Sequence, residues 1–72
     1  MNGKSAISNP EQLKALLGYW LKHNEEHAEE FREWAEKISV DQEEAAGLLM
    51  LAVAKMTEAN TFLEKAKQLL EH

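Results

Sequence analysis

Apolar residues recur every three or four positions along two long stretches of this chain. Positions spaced in this way lie on one side of an α-helix and form a seam for packing. The first seam consists of Leu13, Leu17, Trp20, Asn24, His27, Phe31, Trp34 and Ile38. The second consists of Ala45, Leu49, Ala52, Met56, Ala59, Leu63 and Ala66. The pattern predicts two amphipathic helices, over about 10–37 and 41–69.

The first helix has a clear start signal. Asn9 is a good N-cap, Pro10 suits the first helical position, and Gln12 stands where its side chain can reach back to the cap. Residues 1–8 show no periodicity and are expected to form a flexible tail. The last residues, 70–72, read Leu-Glu-His and resemble the remnant of an expression tag.

The connection between the helices contains two alternative start signals for the second helix. Ser39 with Gln42, or Asp41 with Glu44, would form a capping box, and the sequence does not choose between them. A connection of three to five residues between two long helices forces them to run antiparallel. The predicted fold class is therefore all-α, an antiparallel two-helix hairpin.

The second helix is apolar around most of its circumference between Ala45 and Ala54. A helix of this kind is buried on most sides, whereas one partner helix covers only one side. A chain of 72 residues also has too little core to stand alone easily. We therefore expect a homodimer that forms a four-helix bundle with two-fold symmetry. The residues expected in its core or dimer contact are Leu17, Trp20, Asn24, Phe31, Trp34, Leu49, Met56 and Leu63.

Two alternatives to the homodimer remain open. One is a monomer whose exposed apolar patch docks on another protein, and the other is a monomer with its helix ends folded over. The net charge of −5 argues against nucleic acid and anionic membranes as partners. The absence of cysteine, of a secretory signal and of an apolar run near 20 residues favours a cytoplasmic protein.

His23 and His27 stand four residues apart and place two imidazoles on neighbouring turns of one helix face. The same spacing occurs in H-E-x-x-H metalloproteases, which need a glutamate directly after the first histidine, where this chain has Asn24. Di-iron bundles need a glutamate three residues before a histidine, and those positions hold Trp20 and Asn24. Both enzyme classes are excluded by these residues.

The remaining interpretations of the histidine pair are a metal site and a packing element. Glu26 lies beside the pair and Glu30 follows His27 by one turn, a donor set that suits zinc, nickel or cobalt. The favoured interpretation needs no cofactor: Asn24 and His27 would meet their symmetry mates in a dimer and set its register.

An acidic block lies on the first helix and also has two interpretations. It would attract a cation or a basic partner, or it is a solvated outer face, which we favour because such blocks are common on exposed helices. Arg32–Glu36 and Glu33–Lys37 are expected to offset part of the repulsion within it. The block consists of Glu25, Glu26, Glu29, Glu30, Glu33 and Glu36.

The stretch 20–35 reads WLKHNEEHAEEFREWA. It resembles a small uncharacterised prokaryotic helical family that carries W-x-x-H-N-E-E-H-A-x-x-[FY]-x-x-W-A. The resemblance covers the first helix well and implies no activity. The sequence contains no nucleophile–base pair, glycine-rich phosphate loop or redox motif. We therefore expect a binding or assembly module rather than an enzyme, with metal binding as the alternative.

Overall fold

The computed structural model describes residues 9–71 as an antiparallel pair of long helices. Helix α1 spans Pro10–Ile38 and helix α2 spans Glu43–Leu70. Within residues 9–71 there is no strand, and neither helix is long and apolar enough to cross a membrane. The predicted all-α hairpin is confirmed. Residues 1–8, predicted as a tail, and His72 lie outside the described residues.

Helix α1 begins at the predicted cap. Asn9 is in extended conformation, and its side-chain Oδ1 accepts hydrogen bonds from the backbone N–H groups of Glu11 at 3.0 Å and Gln12 at 3.3 Å. Pro10 occupies the first helical position, where its missing N–H costs nothing. The start of this helix is therefore specified by local hydrogen bonding.

Helix α2 begins without either predicted capping box, so both alternatives were wrong. Ser39 still has helical φ and ψ of −61° and −31°, and its hydroxyl donates to the carbonyl of Glu36 at 3.1 Å. An N-cap residue must have left the helical region, which excludes Ser39. The cap is Gln42, whose side chain makes no capping hydrogen bond, and Asp41 lies one residue too early.

The core between the helices is built mainly from small residues. Leu17, Ala28 and Ala35 of α1 are buried against Ala46 and Val53 of α2. The α1 seam is therefore rotated by one position from the predicted one in its middle and end. Alanines let two helices approach closely, whereas an indole between them would hold them apart.

An asparagine pair crosses the middle of this core. The Nδ2 of Asn24 donates to the Oδ1 of Asn60 at 2.9 Å, and the Nδ2 of Asn60 donates to the carbonyl of Leu21 at 3.4 Å. Both contacts are half-buried. They fix which residue of α1 lies opposite which residue of α2.

A histidine pair and an apolar face as candidate functional sites

Four aromatic rings form a ladder along one side of α1, at intervals of four residues. The rings of Tyr19 and His23 stack with centroids 5.4 Å apart and planes 14° apart. His27 meets His23 edge to face, with centroids 4.4 Å apart and an interplanar angle of 89°. Phe31 follows, 6.1 Å from His27. Tyr19 was not among the predicted site residues, although its spacing from His23 was a visible signal.

The two imidazoles of this ladder point their Nε2 atoms at each other. These atoms lie 3.0 Å apart, on the exposed side of α1. Two nitrogens bound to one ion at about 2.1 Å would be about 3.0 Å apart at a right angle and about 3.4 Å apart at a tetrahedral angle. The 3.0 Å separation is that of a hydrogen bond between the two imidazoles, with donor and acceptor set by their tautomers, and it is also compatible with two adjacent positions around one ion.

The carboxylate of Glu30 lies on the other side of the His27 ring. Its Oε1 is 3.5 Å from Nδ1 of His27, whereas Nε2 faces His23. A carboxylate beside one ring nitrogen favours the tautomer that leaves the other nitrogen free to bind a metal. Glu30 is thus placed to orient His27 and not to share an ion with Nε2.

The predicted donor Glu26 lines a shallow cleft with Tyr19, Lys22 and His23. No three histidine, cysteine, aspartate or glutamate side chains within residues 9–71 come together in a way that would hold a metal. The structure therefore brings together the two histidines and does not add Glu26 or Glu30 to them as ligands. One chain provides two donors.

The acidic block is solvated along its length, with side chains of all six glutamates exposed. Arg32 pairs at 3.2 Å with Glu29, one turn before it, and not with the expected partner Glu36, one turn after it. The ammonium group of Lys37 lies 4.7 Å from the centroid of the Trp34 ring. These contacts are local to the helix surface.

Large apolar side chains are exposed outside the contact between the helices, and we call six of them the apolar face. Helical register places four of the six on the side opposite a groove lined in part by Glu25, Thr57 and Thr61, and places Phe62 and Leu69 on the side of α2 that faces away from α1. Trp34 is 57% exposed, Phe62 61% and Leu69 74%. The apolar face consists of Leu16, Trp20 and Trp34 from α1 and Leu48, Phe62 and Leu69 from α2.

The predicted core and dimer residues divide into three groups. Leu17 is buried, and Trp20 and Trp34 are exposed in the single hairpin. The remaining five are half-buried: Asn24, Phe31, Leu49, Met56 and Leu63. Burial of the two tryptophans would therefore require a second copy or another partner.

Comparison with known proteins places the chain in a family. The model described as Domain of unknown function (DUF8180) matches residues 13–70, which include nearly all of both helices. A protein of Archaeoglobus fulgidus, described as an uncharacterized protein, is 41% identical over 56 residues, covering 78% of this chain and 90% of its own length. No solved structure matches the chain. These matches confirm the resemblance to a small uncharacterised family, and the chain belongs to the family described as Domain of unknown function (DUF8180).

Proposed function

We propose that this protein is a small homodimeric helical module that acts through binding or assembly rather than catalysis. The observation that carries the proposal is the apolar face, which a single hairpin leaves in water. By contrast, the buried core between α1 and α2 is thin: within the described residues it consists of one leucine, one valine and three alanines. A chain of this size needs a partner, a metal or a disulfide to be stable, and it has no cysteine.

The size of the apolar face suits a second copy of the chain. Helices of 28 and 29 residues are each about 40 Å long, and a helix pair is about 20 Å wide. One side of the hairpin therefore offers roughly 800 Å², the area that one partner contributes to a standard stable interface. Two hairpins packed in this way would form a four-helix bundle.

The shape of the face also supports a helical partner. Ala52, Ala59 and Ala66 recur every seven residues on α2, on the side that carries Phe62 and Leu48. A row of small residues between larger ones accepts the ridge of another helix at close distance. An identical α2 offers a ridge and groove of the same dimensions.

Light scattering on the chromatographed protein tests the homodimer directly. We expect a mass twice the 8.2 kDa of the chain at micromolar concentration. A mass of one chain at high micromolar concentration would contradict the proposal.

A pair of adjacent substitutions tests which side of the hairpin makes the contact. Phe62→Glu places a charge in the proposed interface and should weaken the dimer by at least about tenfold, or 1.4 kcal/mol. Thr61→Glu places the same charge in the groove on the opposite side, where Thr61 donates to the carbonyl of Thr57. It should leave the dimer intact. Equal effects of the two variants would argue against the apolar face as the interface.

Divalent metal binding by His23 and His27 is the second candidate function. The observation that favours it is the 3.0 Å separation of their Nε2 atoms. Tag-free protein carrying His72→Ala should show a higher melting temperature with Ni²⁺ than with chelator. His27→Leu should melt no lower than the parent in chelator, because a half-exposed imidazole contributes little to packing, and should lose the response to Ni²⁺. A melting temperature unaffected by Ni²⁺, Zn²⁺ and Co²⁺ would remove this candidate.

A further inference from the structure

We propose that His23 and His27 of two chains together form one four-imidazole site for a divalent transition-metal ion on the two-fold axis of an antiparallel dimer. This inference rests on the proposed homodimer and adds the arrangement of its two hairpins. It also assigns a metal-binding site to the contact between the two hairpins.

The histidine pair of one chain is half of a coordination sphere. The two Nε2 atoms, 3.0 Å apart, fit adjacent positions around one ion. The carboxylates of the same chain do not complete the set, since Glu30 lies at Nδ1 of His27 and no third donor converges within residues 9–71. Since residues 9–71 supply no further ligand, we assign the remaining protein ligands to a second copy of the chain.

The histidine pair lies near the middle of α1, where a two-fold axis perpendicular to this helix would pass. His23 and His27 are centred on position 25, one residue from the middle of Pro10–Ile38. If the axis passes there at right angles to α1, the two copies of α1 run antiparallel with matching ends. His23 of one copy then meets His27 of the other, and four Nε2 atoms surround the axis.

Part of the alanine row on α2 accommodates the same axis. The exposed or half-exposed alanines Ala52, Ala59 and Ala66 are symmetric about position 59. Because Asn24 lies opposite Asn60 in an antiparallel pair, position 25 of α1 lies opposite position 59 of α2. One axis therefore relates the histidine pairs on α1 and brings Ala52 of one copy to Ala66 of the other.

Two of the three members of the apolar face on α1 fit this arrangement, whereas Trp20 would lie opposite Glu30. Leu16 and Trp34 stand nine residues before and after position 25, so each indole would cover the leucine of the other copy. The same axis brings the acidic flanks of two α1 helices together, with the two copies of Glu30 about 15 Å apart along the helix axis. A divalent ion at the axis offsets this repulsion, which the apolar contacts alone would have to overcome.

A shared site has a thermodynamic consequence that a site within one chain lacks. An ion that binds only the dimer must tighten dimerisation, because binding and association are linked. Four imidazole donors suit several divalent transition-metal ions, and Ni²⁺, which accepts square or octahedral nitrogen ligands, is one of them.

Calorimetry and sedimentation on the full chain test the site with Ni²⁺ as the probe. The protein carries no polyhistidine tag and has His72→Ala. We expect one Ni²⁺ per two chains and a dimer dissociation constant at least tenfold lower with saturating Ni²⁺ than with chelator. His23→Ala and His27→Ala should each abolish both effects. Glu33→Gln, which removes a neighbouring charge without touching the pair, should retain both.

Cross-linking tests the arrangement of the hairpins, since the chain has no cysteine of its own. Ala59→Cys lies on the proposed axis and should form a disulfide between the two copies under mild oxidation. Ala66→Cys should not link to itself, because its mates would be about 21 Å apart along the helix axis. It should instead link to Ala52→Cys when the two variants are mixed.

The possible outcomes distinguish failure of the shared metal site from failure of the homodimer. One Ni²⁺ per chain, or binding that leaves the dimer constant unchanged, would overturn the shared site. A dimer in chelator that binds no Ni²⁺ would also overturn it while leaving the homodimer standing. A monomer under all conditions would overturn both. Self-linking of Ala66→Cys, with or without self-linking of Ala59→Cys, would overturn the antiparallel arrangement.

Discussion

At the scale of single residues, the Asn24–Asn60 pair has the strongest influence on how the helices align. It satisfies two side-chain amides inside an otherwise apolar contact, with the second amide also reaching the carbonyl of Leu21. Such a pair adds little stability compared with leucine, but any sliding of one helix past the other would leave it unpaired. Asn24 was expected to meet its own symmetry mate, whereas its partner lies in the same chain.

This pair yields a prediction with an internal control. Asn60→Leu should destabilise the hairpin by about 1–3 kcal/mol, because Asn24 is left half-buried without its partner. Replacing both asparagines by leucine should recover most of that loss. Urea unfolding of both single variants and the double variant gives the coupling energy. A double variant no more stable than Asn60→Leu would show that the amides are not coupled.

At the scale of the helices, the two N-termini differ in how they are held. Helix α1 is capped by a side chain, whereas α2 starts at Gln42 without such a bond. At the opposite end of α2, the ammonium group of Lys67 donates to the carboxylate of Glu71 at 3.0 Å, which raises the pKa of Lys67. Local side-chain contacts therefore hold the two outer ends of the hairpin and not the start of α2.

The difference in capping between the N-termini of α1 and α2 can be measured with two substitutions. Asn9→Ala should cost about 1 kcal/mol, because two backbone N–H groups lose their acceptor. Ser39→Ala should change stability by less than about 0.5 kcal/mol, since its hydroxyl donates only to the exposed carbonyl of Glu36 at the end of α1, which water can also reach. Thermal or urea unfolding of both variants provides the comparison. A larger loss for Ser39→Ala would mean that Ser39 caps α2 after all.

The acidic block of α1 gives a second prediction at this scale. Glu25 and Glu33 are each four residues from Glu29 and repel it. Replacing both by glutamine should raise stability by a few tenths of a kcal/mol, most visibly at low salt. Glu29 is retained because it pairs with Arg32. A clear loss of stability in chelator would mean that these carboxylates bind a partner group.

At the scale of the whole molecule, the main feature is the imbalance between a thin core and a large apolar face. Alanines at the helix contact bring α1 and α2 close together, but they bury little surface. The bulky side chains that would supply hydrophobic stabilisation lie outside this contact. The proposed dimer would transfer them from water into a second core, at about 25 cal/mol per Å² of apolar area.

Folding and association should therefore be coupled in this protein. The melting temperature should rise with protein concentration, since mass action stabilises a folded dimer against unfolded monomers. Circular dichroism at several concentrations between about 1 and 100 μM tests this expectation. A melting temperature that is constant over this range would indicate a hairpin that is stable by itself.

The sequence alone determined the number of helices, their approximate ends, the antiparallel hairpin and the cap at Asn9, because periodicity and capping are local properties. The tertiary structure decided which side of α1 faces α2. Trp20, His27 and Trp34 fit the apolar repeat as well as their neighbours do, but in the middle and at the end of α1 the small side chains of Ala28 and Ala35 fit between the closely packed helices, where an indole would not. The convergence of the two Nε2 atoms and the pairing of Asn24 with Asn60 also depended on side-chain rotamers and on interhelical register, which spacing along the chain does not specify.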